Sequence, residues 1–192
     1  MSNSSVVHRL SIEQYDRMIE AGVFGKEDRV FFWEGLLAEK SIKGPPQAYM
    51  TATLVRAVKR LNPAGWTIFQ GSPLNLGGAS VPEPDLLFAR GELGDYRARR
   101  PAAEDVAFLI HVVDSSLAFA RGEMLRAYAA NAIPAYWIVT IPANRIEVYT
   151  DPSGPAETPT YRKVEHYVAG QAVPLVLEGR EVGRIAVAEV LP

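Results

Sequence analysis

VPEPDLLFAR at residues 81–90, VAFLIHVVDSS at 106–116, ARGEMLRAYAANAIP at 120–134 and AYWIV at 135–139 decide how this chain folds. The first predicts a strand opening on Pro84 and Asp85. The second is apolar almost throughout from Val106 to Val113 and predicts a strand buried on both faces. The third repeats its apolar residues at helical spacing, and the fourth is another short apolar run, so strand, crossover helix and strand follow one another. That order predicts an α/β domain and directs the search for chemistry to the cleft where strand ends meet the helix.

The rest of the chain sets bounds on this reading. With 192 residues, 48% hydrophobic and 22% charged, it is long enough to bury one full core. A single domain over residues 8–192 is expected, behind a tail at 1–7 that reads as disordered. A net charge of −2 and a pI near 6.0 give no global positive field for nucleic acid or an anionic membrane. Only a local basic patch could serve such a partner. Cysteine is absent, which rules out disulfides and thiolate metal sites and fits a reducing compartment. The opening MSNSSVV has neither a basic start nor a long apolar core, and apolar runs such as 106–110 are far too short to span a bilayer. A cytoplasmic protein is the expectation.

Before the deciding stretch, Ser11 and Gln14 have capping-box spacing. Ile12, Tyr15, Met18 and Ile19 then recur at helical spacing until Gly22, predicting an amphipathic N-terminal helix. Segments 29–33 and 36–40 flank Glu34-Gly35, the pattern of a two-residue hairpin turn, so Glu34 is read as turn chemistry. Met50, Leu54, Ala57, Val58 and Leu61 predict a second helix, ended by the breaker cluster at 62–65 and followed by a strand at 66–70. Segment 90–105 is too irregular for a regular element. Its Arg90, Arg97, Arg99 and Arg100 fit a solvated loop or, alternatively, a rim that contacts nucleic-acid phosphates. Beyond residue 139, 146–149 predicts a hairpin partner for AYWIV, 151–159 a loop, 161–167 a strand, and 182–190 a short strand passing into a helical turn.

Four residues of the deciding stretch carry candidate chemistry: Glu83, Asp85, His111 and Asp114. Glu83 and Asp85 are two apart, so on extended backbone they share a face, where two carboxylates can hold a hard cation such as magnesium. The plainer alternative is a Pro-flanked strand opening. His111 interrupts an apolar strand, and burying an imidazole costs a hydrogen bond unless a partner is found. It is either a core histidine satisfied by a neighbour or a ligand or acid–base group. Asp114, Ser115 and Ser116 read as the cap of the following helix. A hydrolase triad of Ser115, His111 and Asp114 is rejected: residues so close on one strand end cannot line up nucleophile, base and orienter, and no nucleophile elbow is present.

The succession RLSIEQYDRMIEAG, RVFFWEGLLAEKS, FQGSPLNL, VPEPDLLFAR, FLIHVVDSSLAFARGEMLRAYAANAIPAYWIV and RIEVYTDP, spanning about residues 9–190, closely resembles the bacterial Uma-two family of putative restriction endonucleases, of the PD-(D/E)XK nuclease-like superfamily. The resemblance implies a restriction-endonuclease-like core, a mixed β-sheet flanked by helices, with an added N-terminal helix and β-hairpin. It also implies metal-dependent DNA phosphodiester hydrolysis, in which carboxylates hold Mg2+ and a lysine helps to activate or steady the attacking water. The family's site takes an acidic residue from the hairpin, the Asp of the PD motif, a Glu from the next strand and a Lys from the following helix.

Carried onto this chain, Asp85 matches the PD aspartate. Phe31 stands at the hairpin acid, His111 at the strand glutamate and Met124 at the helix lysine, while Ala120 holds the acidic position a turn earlier. Phenylalanine cannot ligate a cation, a thioether cannot protonate an alkoxide, and imidazole suits magnesium poorly. Losing one well-placed stabilising group already costs on the order of a hundred- to a thousandfold in rate. Glu34, Glu83, Asp114 or Glu123 could supply oxygen, and Arg121 or Arg126 a positive charge, only from a different register. Zn2+ or Mn2+ on Asp85 and His111 is the alternative that imidazole favours. The expectation is a degenerate nuclease, a pseudoenzyme toward DNA, set against a non-catalytic nucleic-acid or protein-binding module on the same fold. The resemblance further implies a homodimer, with the arm at 30–40 and the C-terminal strands as candidate contacts.

Overall fold

The computed structural model of the chain describes residues 6–25, 27–61 and 63–191. Helix α1 (Ile12–Glu20) begins at the expected capping box, with the Ser11 Oγ accepting the Gln14 N–H at 3.3 Å and the Ser11 N–H donating to Gln14 Oε1 at 2.8 Å. Strands β1 (Val30–Trp33) and β2 (Leu36–Glu39) form the hairpin. Its two turn residues have φ of 47° at Glu34 and 78° at Gly35, the mirror-image turn that suits strand twist. Glycine is also needed at 35 for space, since a Cβ there would stand 2.7 Å from that of Arg9. Helix α2 (Pro45–Leu61) starts on two prolines, which the first turn tolerates because its N–H groups have no helical acceptor.

Six strands build the main sheet: β3 (Trp66–Gln70), β4 (Leu86–Arg90), β5 (Val106–Val113), β6 (Ala135–Thr140), β7 (Arg145–Pro152) and β8 (Tyr161–Tyr167). They are bonded in sequence order and are antiparallel except for β5 and β6, which run parallel. A parallel pair needs a crossover, supplied by α3 (Leu117–Phe119), a π-helical turn (Ala120–Met124) and α4 (Leu125–Ala130). β9 (Ala172–Leu177) and β10 (Arg180–Ala186) form a separate hairpin.

This mixed sheet flanked by helices is the expected fold class. One face packs against α2 and the β9–β10 hairpin through Leu54, Val58, Phe88, Phe108, Trp137 and Ile185. The other packs against the crossover and the β1–β2 hairpin through Leu109, Tyr128, Tyr136, Ile138, Phe31 and Trp33. Tyr15 of α1 stacks on Phe32 at 4.8 Å between ring centres, which ties α1 to the hairpin's opposite side.

Three local expectations are corrected. The crossover runs over 117–130 rather than 120–134, and its π-helical turn inserts a residue that apolar spacing does not reveal. β9 carries Pro174 within an apolar run and was not expected, and β10 starts two residues before 182. Segment 90–105 contains two short 3-10 turns, at Leu93–Tyr96 and Ala103–Asp105. Of the tail expected at 1–7, residues 1–5 lie outside the described residues, as does Asn62 of the breaker cluster, while Val6 and Val7 are exposed coil. Among the described residues no helix is long and apolar enough to cross a membrane.

Candidate functional site

The sheet register sets the site. His111 on β5 pairs with Ile138 on β6, and Ile138 pairs with Glu147 on β7. Paired residues point to one face, so these three form a row beneath the crossover. The β4–β5 ladder runs Leu87 to Leu109 and Leu86 to Ile110, which brings Asp85 level with His111 as β4 begins. One row thus carries an aspartate, a histidine and a glutamate across four strands.

Asp85 is 3% exposed. Beyond the last β4–β5 pair it takes over from the ladder: its Oδ2 accepts the Val112 N–H at 2.8 Å, while the Val112 carbonyl accepts Gln47 Nε2 of α2 at 2.6 Å. The other carboxylate oxygen, Oδ1, is paired with the Lys43 ammonium. Two residues earlier Glu83 is paired with Lys40 at 2.6 Å. Both lysines come from the segment between β2 and α2, so the two acids each meet a cation from the same strap of chain.

His111 Nδ1 stands 3.8 Å from Asp85 Oδ2, too far for a hydrogen bond, and its Nε2 lies 2.8 Å from the Tyr128 hydroxyl. The nearby carboxylate favours the proton on Nδ1, leaving Nε2 to accept from Tyr128. Burial drives the His111 pKa down to about 4, with Asp85 opposing that shift and Lys43 adding to it, so the ring is neutral at pH 7. Tyr128 is itself buried, which pushes its hydroxyl well above the ordinary phenol range and keeps it protonated.

Around Asp85 lies a cleft of about 470 Å³ whose walls include Phe31, Lys43, Glu83, His111, Phe119 and Met124. Sequence positions 31, 85, 111 and 124, named separately by the resemblance, therefore meet in one place. Ala120 does not join them; it is buried, and its carbonyl accepts the Tyr136 hydroxyl at 3.3 Å. Phe31 packs edge-on against Phe119 and is 8% exposed, so it closes the hairpin side of the cleft with a hydrocarbon surface. Met124 sits beneath Tyr128, whose oxygen is 3.8 Å from the sulfur.

Among the proposed substitutes Glu83 lines the cleft but is paired with Lys40, whereas the others do not line it, Asp114 and Arg126 being exposed. Glu123 accepts Trp33 Nε1 at 3.2 Å, Arg121 is committed to Glu147, and Glu34 is exposed in its turn. Glu147 is fully buried and receives both Arg121 and Arg145 as well as the Tyr149 hydroxyl at 2.8 Å. Burial alone would raise its pKa, but the hydrogen bonds from Arg121, Tyr149 and Arg145 outweigh it and hold the carboxylate down to about 2.

Magnesium does not fit the cleft as it stands. Asp85 and Glu83 are each engaged by an ammonium group, and among the described residues no group of three or more His, Asp or Glu could hold a metal ion. Asp85 with His111 offers two ligands, one short of the three that catalytic zinc sites take from the protein.

The arginine rim divides. Arg97, Arg99 and Arg100 line a second groove of about 710 Å³ beside α1, whereas Arg90 lies apart, paired with Glu178 and stacked over Trp66 at 5.3 Å. Arg99 is doubly bonded to Asp105 and Arg100 is paired with Asp16. Arg97 is exposed. Sequence reasoning missed Lys40, Lys43, Gln47 and Tyr128. Two lysines three apart before a helix carry no periodic signal; only the need of two neighbouring acids for two cations could have pointed to them.

Comparison with known proteins agrees with this fold. The sequence model of the Uma2 family, described as "Putative restriction endonuclease", matches residues 12–188. Among solved structures, a putative nuclease belonging to DUF820 from Anabaena variabilis ATCC 29413 superposes with a TM-score of 0.67 over 90% of this chain and 96% of that one, at 12% identity. A likeness at that identity concerns the fold. No curated protein matches.

Proposed function

The chain belongs to the Uma2 family, and on that premise we propose that it is a nuclease-like protein whose cleft keeps the place of phosphodiester hydrolysis without its chemistry, so that magnesium-dependent DNA cleavage is absent or very slow. The observation that carries this reading is the state of Asp85. The one acid retained from the family's set is bound by Lys43 and by a backbone N–H, with a neutral histidine, a phenylalanine and a thioether where two carboxylates and an amine would be required. A carboxylate so engaged has a structural task at the end of the β4–β5 ladder. The test is incubation of supercoiled plasmid with the purified protein and Mg2+ or Mn2+. No cutting is expected; cutting that Asp85→Ala abolishes would restore a working nuclease.

A second reading, a non-catalytic binding module, draws on the groove beside α1. Asp16, Glu20 and Glu104 line it together with Arg97, Arg99 and Arg100, a mixed charge that suits a polar protein segment better than a phosphodiester backbone. Salt-sensitive DNA retention that falls when Arg97, Arg99 and Arg100 are neutralised would favour nucleic acid instead. Self-association through the hairpin arm, where Leu36 and Leu37 are about two-fifths exposed, is checked by light scattering of the wild type against Leu37→Glu.

A further inference from the structure

Residues 40–44 form an irregular strap, of which Lys40, Ser41 and Lys43 line the cleft. Its ends are fixed, the Lys40 N–H donating to the Arg29 carbonyl at 2.7 Å and the Gly44 carbonyl accepting the Ala48 N–H at 3.0 Å. Ser41, Ile42 and Lys43 between them are exposed. From this strap Lys40 reaches Glu83 and Lys43 reaches Asp85. The acids are 26% and 4% exposed at their side chains and the lysines 36% and 48%, so the carboxylates are sunk in the cleft while the ammonium stems come in from solvent.

We propose that the strap's two ammonium groups are tethered cations that fill the charge role of a divalent ion in this cleft and exclude one from it. The inference rests on the preceding reading of a cleft without a magnesium cage. A buried carboxylate must be neutralised or paired, and among the described residues Asp85 is offered one formal positive charge, since His111 is neutral and Arg121 is spent on Glu147. A lysine is suited to this place because it is a compact point charge on a flexible stem, with no second donor in a fixed fork to compete for the Val112 N–H position. Magnesium commonly binds through only one or two carboxylates and completes its shell with water, so Asp85 and Glu83 are competent ligands once the ammonium groups are withdrawn. Occupancy by lysine, more than shortage of oxygen, then keeps the ion out.

The experiment is a Mn2+ titration of the full-length protein, read by the electron paramagnetic resonance of free Mn2+ and by thermal shift. Wild type and Lys43→Arg should take up no Mn2+ at Asp85. Lys43→Met keeps the apolar stem and removes the charge, and it should bind at least tenfold more tightly than wild type. Adding Asp85→Asn to Lys43→Met should abolish that gain. Should Lys43→Met be too unstable to titrate, Lys40→Met is read in the same way at Glu83, with Glu83→Gln as its control. A wild type that binds Mn2+ through Asp85 as tightly as Lys43→Met overturns the proposal, and so does a Lys43→Met that binds none. Either result is separate from the plasmid assay: a nuclease that cuts overturns the reading of a spent site, whereas metal uptake without cutting leaves that reading intact.

Discussion

Asp85 and Glu147 lie in one row of the sheet with two strands' residues between them, and both are buried carboxylates facing the same crossover. Glu147 has five donor contacts, from two arginines and a tyrosine. Asp85 has one ammonium from an exposed strap and one backbone N–H. A guanidinium presents a rigid fork and loses little freedom when it binds two oxygens, while a lysine half in solvent is held by a single contact. The difference teaches that burial of an acid does not reveal its role; the number and tethering of its donors do. Glu147 ties the π-helical turn to β7 through two arginines, and Asp85 is held by one half-exposed ammonium and one backbone N–H.

The largest effect should come from breaking the Glu147 region. Glu147→Ala empties a buried site and leaves Arg121 and Arg145, each about a third exposed, without their acid, and should cost about 2–4 kcal/mol in urea unfolding. Asp85→Asn, which keeps an oxygen for the Val112 N–H, should cost well under half of that. Equal costs would show that the two acids are held alike.

Acid titration separates the two regions next. Burial lowers His111 from 6.5 to about 4, so between those values the unfolded chain binds a proton that the folded one does not. Stability is therefore full above pH 6.5 and lost as pH falls toward 4, by roughly 3 kcal/mol. Glu147, held down from 4.5 to about 2, gives stability that is present above 4.5 and lost as pH falls toward 2. Unfolding free energy measured against pH should descend in these two windows. His111→Asn should erase the upper descent and leave the lower; Glu147→Gln should do the reverse.

Much of this arrangement was legible in the sequence. The strand, crossover and strand of 106–140 follow from apolar runs and helical spacing, and the hairpin from Glu34-Gly35, because those signals are local. Positions 31, 85, 111 and 124 were named by resemblance, and the fold brings them into one cleft. Lys43 was not legible, since its partner is 42 residues away and no periodicity links a coil lysine to a strand opening. Arg121 was weighed as a stand-in for the missing lysine. Spacing could not show that the π-helical turn aims it at β7, away from the cleft. Glu147 gave no signal either, being one acid in an alternating strand whose buried face is set by the register.

A smaller effect tests whether the strap is exchangeable. Lys43→Met should cost about 1–2 kcal/mol at low ionic strength, the usual range for leaving one buried acceptor short of a partner. Because the ammonium is 48% exposed, salt screens it, and the cost should shrink between 50 and 500 mM NaCl. The cost of Arg121→Ala should shrink less, since its guanidinium holds both oxygens of Glu147 in a fixed fork. A salt-independent loss for Lys43→Met would mean that the strap is as fixed as the arginine pair.

The last and smallest effect asks whether donor number or exposure decides the matter, and Arg99 separates them. Its two hydrogen bonds to the Asp105 carboxylate copy the chemistry of the Glu147 region, while its side chain is half exposed like that of Lys43. If exposure decides, a phosphate can draw Arg99 off Asp105, and Arg97→Ala and Arg99→Ala should each lower the slope of log affinity for DNA against log salt by about 0.9. If donor number decides, Arg99 stays on Asp105 and only Arg97, which is paired with no acid among the described residues, changes the slope. Asp105→Asn then discriminates: it should steepen the slope by about the same amount in the second case and leave it unchanged in the first, because only a locked arginine gains by being released.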